Sequence, residues 1–465
     1  MAGIGFRLAR IAQVGGIGGV VSAASHGAVI SSGPWLMAAG AVMALESWGQ
    51  RHAGVAVTGA LQTILVYAFS LSALAAAPTI AVTTRVMSDM LYARRPSQVP
   101  GILIAALVGA AMTAVPTGAL VYGLSGLAPL DQLAATAILT LLAEIWVANL
   151  FLTATRRHRA VLTGYAGGIG VVALAGAFAT DVGLRGLLWL TLAGVGVTAI
   201  MLVRAVRYSF VAPPVWPADW GKAYRRHALL GIGGTFATLA IWMDKWITWY
   251  AAADSAAGLS MLRFNPIYDP ASFLGLLSLV PGLTLLLIAT ETRFDRRFTV
   301  LMTACTGTAP IAGIQDARRS VIRTVLHDAR LLVVVQATIA AALWVLAPEL
   351  FKAIGADPRG IFAFRFTVVG AVFHLAALFF TIILSYLDLA GRVLIVWAMF
   401  FVVSTAATLM TVQAGFAWYG WGYLAGAVMA TTTGAVLVAH ALWNLIYLLF
   451  VGNNPAIMGD RRRWA

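Results

Sequence analysis

The stretch Gly101-Ile102-Leu103-Ile104-Ala105-Ala106-Leu107-Val108-Gly109-Ala110-Ala111-Met112-Thr113-Ala114-Val115-Pro116-Thr117-Gly118-Ala119-Leu120-Val121-Tyr122-Gly123-Leu124-Ser125-Gly126 holds no Asp, Glu, Lys, Arg or His. Wound as a helix at about 1.5 Å per residue it exceeds the roughly 30 Å hydrocarbon thickness of a bilayer. It also lacks the polar face that a helix on a soluble core must show to water. Eleven further apolar runs lie near 27–46, 54–84, 133–153, 160–180, 184–204, 229–252, 267–290, 331–348, 361–387, 393–412 and 421–450. Several are longer than a perpendicular crossing needs, which predicts tilt or extension beyond the bilayer.

The composition agrees. The chain has 465 residues, room for two or three soluble domains by length. Yet 61% of them are hydrophobic and 10% charged, where soluble domains run at roughly 45–50% and about 25%. So few charges cannot cover the surface of soluble domains. The expected fold is an all-α polytopic membrane protein of about twelve transmembrane helices.

A formal net charge of +14 would fit a nucleic-acid binder, but the placement of the charges excludes that. With the N-terminus on the inner side, 24 of the 31 Lys and Arg fall in inner segments and five in outer ones, with Lys245 and Arg365 inside runs. Loop-by-loop alternation of this kind sets membrane orientation. Both termini are therefore expected in the cytoplasm. Arg7 and Arg10 precede a Gly-rich segment that runs on into the first span, which reads as an uncleaved inner segment. The single cysteine, Cys305, excludes an intrachain disulfide and a Cys-rich metal site.

The expected organisation is an N-terminal cytoplasmic segment 1–26, an N-lobe of six spans 27–204, and a linker 205–228 bearing Pro213, Pro214 and Pro217. A C-lobe of six spans 229–455 with an inner loop 291–330 follows, then a tail 456–465. In that loop Val321, Ile322, Val325 and Leu326 share a helical face, and Arg319, Arg323 and Arg330 lie off it. Either a basic amphipathic helix on the inner leaflet or a solvated linker helix fits the pattern.

Ionisable groups inside spans are costly and therefore candidates for function. In span seven, Trp242, Lys245, Trp246 and Trp249 fall on one helical face, with Asp244 and Thr248 on the other side. Asp244 and Lys245 are then expected to point apart. The aromatic and cationic face can stack sugar rings; alternatively the tryptophans face lipid and Lys245 snorkels to the headgroups. Glu144, with Asn149 five residues on, is a candidate proton-coupling carboxylate or a structural hydrogen-bonding group, and Arg365 a partner for it or an interfacial charge. His374 and His440 read as packed and hydrogen-bonded. Pro34 beside Trp35, Pro78, Pro116 and Pro281 lie within spans and mark kinks or breaks. Tyr268 and Asp269 stand at the entry to span eight between Pro266 and Pro270.

No Walker A loop, HExxH or GxSxG motif is present. The expectation is a protein that is not an enzyme, with no catalytic residues, no metal and no cofactor.

Several strings resemble one family. Met1-Ala2-Gly3-Ile4-Gly5-Phe6 and Ile30-Ser31-Ser32-Gly33-Pro34-Trp35 look like the opening of PelG, the inner-membrane transporter of Pel exopolysaccharide. Asp244-Lys245-Trp246 is similar to a family signature. So are Asn265-Pro266-Ile267-Tyr268-Asp269-Pro270-Ala271-Ser272-Phe273, Val280-Pro281-Gly282, Glu291-Thr292 and Asn453-Asn454-Pro455. The resemblance implies two six-helix lobes of the multidrug/oligosaccharidyl-lipid/polysaccharide (MOP) exporter superfamily, like MATE transporters. It also implies export of an amino-sugar-rich polymer beside a cytosolic glycosyltransferase, a cyclic-di-GMP receptor and a tetratricopeptide-repeat membrane protein. Under this reading Trp242, Asp244, Lys245, Trp246, Trp249, Pro34, Trp35, Tyr268 and Asp269 line the substrate path, and Glu144, Asn149 and Arg365 serve coupling. The alternative is a cation-coupled small-molecule antiporter or flippase on the same plan.

Overall fold

The computed structural model describes residues 33, 36–155, 157–178 and 182–452. The expected cytoplasmic segment 1–26, the tail 456–465, Pro34, Trp35 and the Asn453-Asn454-Pro455 string lie outside the described residues. A helix stands at each of the twelve apolar runs. They are α1 (36–52), α2 (Val55–Tyr92), α3 (Val99–Gly123), α4 (Pro129–Ala154), α5 (His158–Phe178) and α6 (Leu184–Ser209). A short α7 (Trp220–Arg226) and α8 (Ala228–Ala251) follow, then strands β1 (Ala256–Leu259) and β2 (Leu262–Phe264). The eighth run forms α9 (Tyr268–Leu277) and α10 (Leu279–Ile288) and passes through a π-helical turn, Ala289–Phe294, into α11 (Asp295–Thr306). Next come α12 (Ile311–Ile354), α13 (Gly360–Tyr386), α14 (Ala390–Thr411) and α15 (Trp421–Trp443), and the described residues continue through a short helical stretch to 452.

Ten stretches among the described residues are long and apolar enough to cross a membrane. The other two runs hold α1, whose leading residues are not described, and α8, whose apolar character is diluted by Asp244 and Lys245. At 24 residues α8 is about 36 Å long, enough to span.

The chain divides into two compact units. The first comprises residues 33–242 with 255–264, and the second 243–254 with 265–452. The division falls within α8, between Trp242 and Met243.

In the first unit α2 packs against α3 and α4, α4 against α6, and α5 against α6. Much of the interior is alanine: Ala68, Ala76, Ala105, Ala106, Ala110, Ala134 and Ala135 are buried. Small residues let helix backbones approach where lipid offers no hydrophobic incentive to associate. Pro78 and Pro116 sit inside continuous helices and do not break them. In the turn before Pro78 the Thr113 hydroxyl of α3 donates to the Ala75 carbonyl of α2 at 2.8 Å, which ties the two helices. The antiparallel hairpin β1–β2, which periodicity did not anticipate, is held on α2. Tyr67 OH donates to the Arg263 carbonyl at 3.1 Å and accepts from the Arg263 N–H at 3.2 Å. A lone hairpin is marginal in stability, and α2 supplies its support.

In the second unit α13 packs against α9, α12 and α15. Its core is aromatic, with Phe351, Phe364, Phe379, Phe400, Tyr268, Tyr419 and Tyr423 buried. The basic segment expected as a helix on the inner leaflet or a solvated linker helix is the first part of α12: residues 311–354 form one helix of 44 residues. A helix continuous with a span projects along that span and cannot lie flat beside it. α11 packs against the first part of α12, so the expected loop 291–330 is a helical hairpin.

Candidate functional site at the junction of α8 and α9

The ionisable residues of span seven and of the span-eight entry form one buried network in the second unit. Asp244 and Lys245 are both buried. Lys245 Nζ lies 3.1 Å from Asp244 Oδ1 and donates to Oδ2 at 3.3 Å. This corrects the expectation that the two point apart. Neighbours on a helix leave its axis 100° apart, but four methylenes let the lysine fold back, and low polarity around the pair rewards that closure.

Tyr268 OH donates to Asp244 Oδ2 from the first turn of α9. Lys245 Nζ also sits 5.7 Å from the centre of the Tyr268 ring, within range of a cation–π attraction. Asp244 thus gathers an ammonium and a phenol, and its charge is compensated within the unit.

One turn on, Trp249 is fully buried and its indole N–H reaches both Asp269 oxygens at 2.9 Å. The Asn265 backbone N–H donates to Asp269 Oδ2 at 3.0 Å. The Asn265 side-chain oxygen in turn accepts from the Ile267 and Tyr268 backbone N–H groups at 3.0 and 2.8 Å. This side-chain capping satisfies N–H groups that a helix start leaves without intrahelical partners. It explains the string Asn265-Pro266-Ile267-Tyr268-Asp269: prolines and the Asn side chain start α9 where Tyr268 and Asp269 can meet α8.

Tyr268 packs edge-on against Tyr419, whose hydroxyl donates to Asp254 Oδ2 at 3.2 Å. His374 and Tyr423 form a buried 2.8 Å hydrogen bond between α13 and α15. Sequence reading left out Tyr419 and Tyr423, since single tyrosines in apolar runs carry no signal of their partners.

Below the network, α9 ends and α10 begins at Ser278, ahead of Pro281. The Gln336 side chain of α12 donates to the Ser278 carbonyl at 2.9 Å. Gly282 makes room for it: a Cβ there would lie 2.4 Å from Gln336 Oε1 and 2.6 Å from Leu375 Cδ2.

The other expected site residues are dispersed. Trp242 and Trp246 are half-buried on α8. In the first unit Glu144 is half-buried on α4, and Asn149 donates to Tyr165 OH at 3.1 Å. In the second unit Arg365 donates to the Trp344 carbonyl at 3.2 Å and stacks 5.1 Å from the Trp344 ring. Lys245 and Trp249 are buried, and among their described contacts Lys245 meets Asp244 and Trp249 meets Asp269.

The sequence profile of the PelG family of exopolysaccharide exporters (EPS-E) matches residues 1–450. The chain belongs to the PelG family. No curated protein shows significant similarity to it. Among solved structures, a MATE in the bent conformation has a TM-score of 0.63 at 14% identity, covering 96% of this chain and 99% of its own. A MOP superfamily transporter from Pyrococcus furiosus, described with a binding pocket of reversed polarity, has a TM-score of 0.62 at 14% identity, with 90% and 96% covered. An outward-facing multidrug resistance MATE family transporter scores 0.61 at the same identity and coverage. At this identity the likeness establishes the fold. The PelG-family chain is a multi-pass membrane protein with a fold like that of MOP-superfamily transporters, and its family is one of exopolysaccharide exporters.

Proposed function

We propose that this chain carries an amino-sugar-rich exopolysaccharide outward across the bacterial inner membrane, within a synthase-dependent complex and with both termini in the cytoplasm. Family membership over residues 1–450 is the observation that carries the reading, and the charge asymmetry supports its orientation. The resemblance further implies the cytosolic glycosyltransferase, the cyclic-di-GMP receptor and the tetratricopeptide-repeat protein as partners. The buried network supports a division of labour among the candidate residues. Asp244, Lys245, Tyr268, Trp249 and Asp269 spend their polar groups on one another and tie α8 to α9. Trp242 and Trp246, with Pro34 and Trp35 at the first span, are the groups assigned to the polymer path. Glu144 is the carboxylate assigned to coupling, and Asn149 and Arg365 are its assigned auxiliaries.

The test is a clean deletion strain complemented with wild-type or empty vector. Surface amino-sugar polymer is quantified with a lectin, and retention of a cationic dye is measured in the same cells. Loss of polymer with unchanged dye retention is the expected result. Unchanged polymer with raised dye retention would replace this reading with a small-molecule antiporter.

A further inference from the structure

The first unit holds a cavity of about 370 Å³, walled by α1, α2, α4, α5 and α6. On α5 its lining runs from Tyr165 to Ala177, about 18 Å along the helix axis. Trp48 of α1 stands at the Ala177 end, its ring 3.5 Å from where a Gly176 Cβ would lie. Among the described residues no charged side chain lines the cavity. Its two threonine hydroxyls, of Thr191 and Thr198, already donate to the Leu187 and Gly194 carbonyls at 2.8 and 3.0 Å.

The space is not a by-product of helices that must touch. Gly168 and Gly194 do serve a close crossing of α5 and α6: a Cβ on Gly168 would lie 2.1 Å from Thr198 Oγ1 and 2.4 Å from the Gly194 carbonyl oxygen. Gly176 differs, since a Cβ there would meet Trp48 only at ordinary contact distance. Ala38, Ala41 and Ala44 face the same space from α1. Small residues on that side keep open a volume that longer side chains would fill in a close-packed interior. An apolar cavity of about 150 Å³ stays dry and takes up benzene. Scaled by volume, this one takes an apolar body of about fifteen carbons.

One end carries a single polar handle. The Tyr165 hydroxyl accepts the Asn149 amide N–H at 3.1 Å, which leaves its own hydrogen to donate. A sugar does not suit such a lining, because most of its hydroxyls would lose water and gain no partner. A long hydrocarbon chain ending in one neutral acceptor does, in the pattern of apolar pockets oriented by a few polar groups.

We propose that the first unit binds a linear acyl chain in this cavity, with its ester or amide carbonyl accepting from the Tyr165 hydroxyl and the chain running toward Trp48. Asn149 is the positioning residue for that hydroxyl. Neither the cavity nor its lining depends on what the protein exports.

The experiment uses full-length protein in glyco-diosgenin, a detergent whose apolar part is a steroid and not a linear chain. The probes are diazirine-bearing methyl tetradecanoate and a phosphatidylethanolamine carrying the same acyl chain, with labelled peptides mapped by mass spectrometry. The expected result is saturable labelling confined to the cavity helices, displaced by unlabelled methyl tetradecanoate and not by chitotetraose. A41F/A177F, which fills the space, should weaken labelling about tenfold or more. A175F, at an exposed α5 position outside the lining, should stay near wild type. Y165F should weaken displacement by the ester about fivefold and leave displacement by pentadecane unchanged. Labelling by both probes assigns the chain to a phospholipid, and labelling by the ester alone assigns it to a single-chain acyl compound. Unsaturable labelling, equal labelling of A41F/A177F, or displacement by chitotetraose would overturn the proposal. So would an unchanged ester affinity in Y165F, whether or not the filled variant folds.

Discussion

Lys245 is held by the residue beside it in the chain: its Nζ lies 3.1 Å from Asp244 Oδ1, with both side chains buried. The pair is neutral as a unit, so its burial is tolerated only while both members are present. Tyr268 adds a donor from α9, which makes the pair a joint between helices.

Removing one charge should therefore cost more than removing both. D244N or K245M alone leaves an uncompensated buried charge, a loss of about 3–5 kcal/mol in such settings. The double variant D244N/K245M should recover most of it. Thermal unfolding of the four proteins in detergent checks this, and a double variant as unstable as the sum of the singles would refute the coupling.

Asp269 depends on Trp249 in the same way. W249F keeps an aromatic ring but withdraws the donor that reaches both carboxylate oxygens. A hydrogen bond to a charged group contributes about 1.5–3 kcal/mol, and W249F should lose an amount of that order. Adding D269N should return part of it, because a neutral amide is less costly to leave underpaired. Unfolding midpoints of the two variants report the outcome.

A side chain at Gly282 is expected to cost stability while Gln336 is present. G282A places a methyl 2.4 Å from Gln336 Oε1, and overpacking of this kind costs about 1–3 kcal/mol. Shortening the partner in G282A/Q336A should relieve the clash, although the Ser278 carbonyl then loses its donor. Membrane abundance and surface polymer should both fall in G282A. A G282A protein of wild-type stability would show that the α10–α12 approach is looser than described.

The loop before α13 should weaken in acid. The Arg359 side chain, and then its backbone N–H, hold the Asp357 carboxyl below the usual carboxylate range. Arg359 Nη2 lies 2.7 Å from Asp357 Oδ2. A depressed value means the contribution is full above the ordinary carboxylate range and is lost as pH falls through the folded-state value. The stability difference between wild type and D357N should therefore be constant near neutrality and vanish in acid. A difference that grows as pH falls would reverse the assigned sign.

The sequence by itself determined the membrane class, the position of the helices and the family. Each of these rests on quantities local along the chain. Uncharged runs such as 101–126 must be helices in lipid, because only an internally bonded backbone survives there. The asymmetry of Lys and Arg is likewise a property of loops, and strings such as Asn265 to Phe273 are read without coordinates. Only the tertiary structure decided what the intramembrane charges do. A helical wheel fixes where Cβ atoms leave the axis but not where a four-carbon lysine ends, so it separated Asp244 from Lys245 when the side chains meet. It could not place Tyr268 against Asp244 or Trp249 against Asp269, since those contacts join helices across a turn and a hairpin. Nor could periodicity show that the basic segment 319–330 continues unbroken into a span. Whether an amphipathic helix lies on a membrane or leaves it is decided by the element to which it is joined.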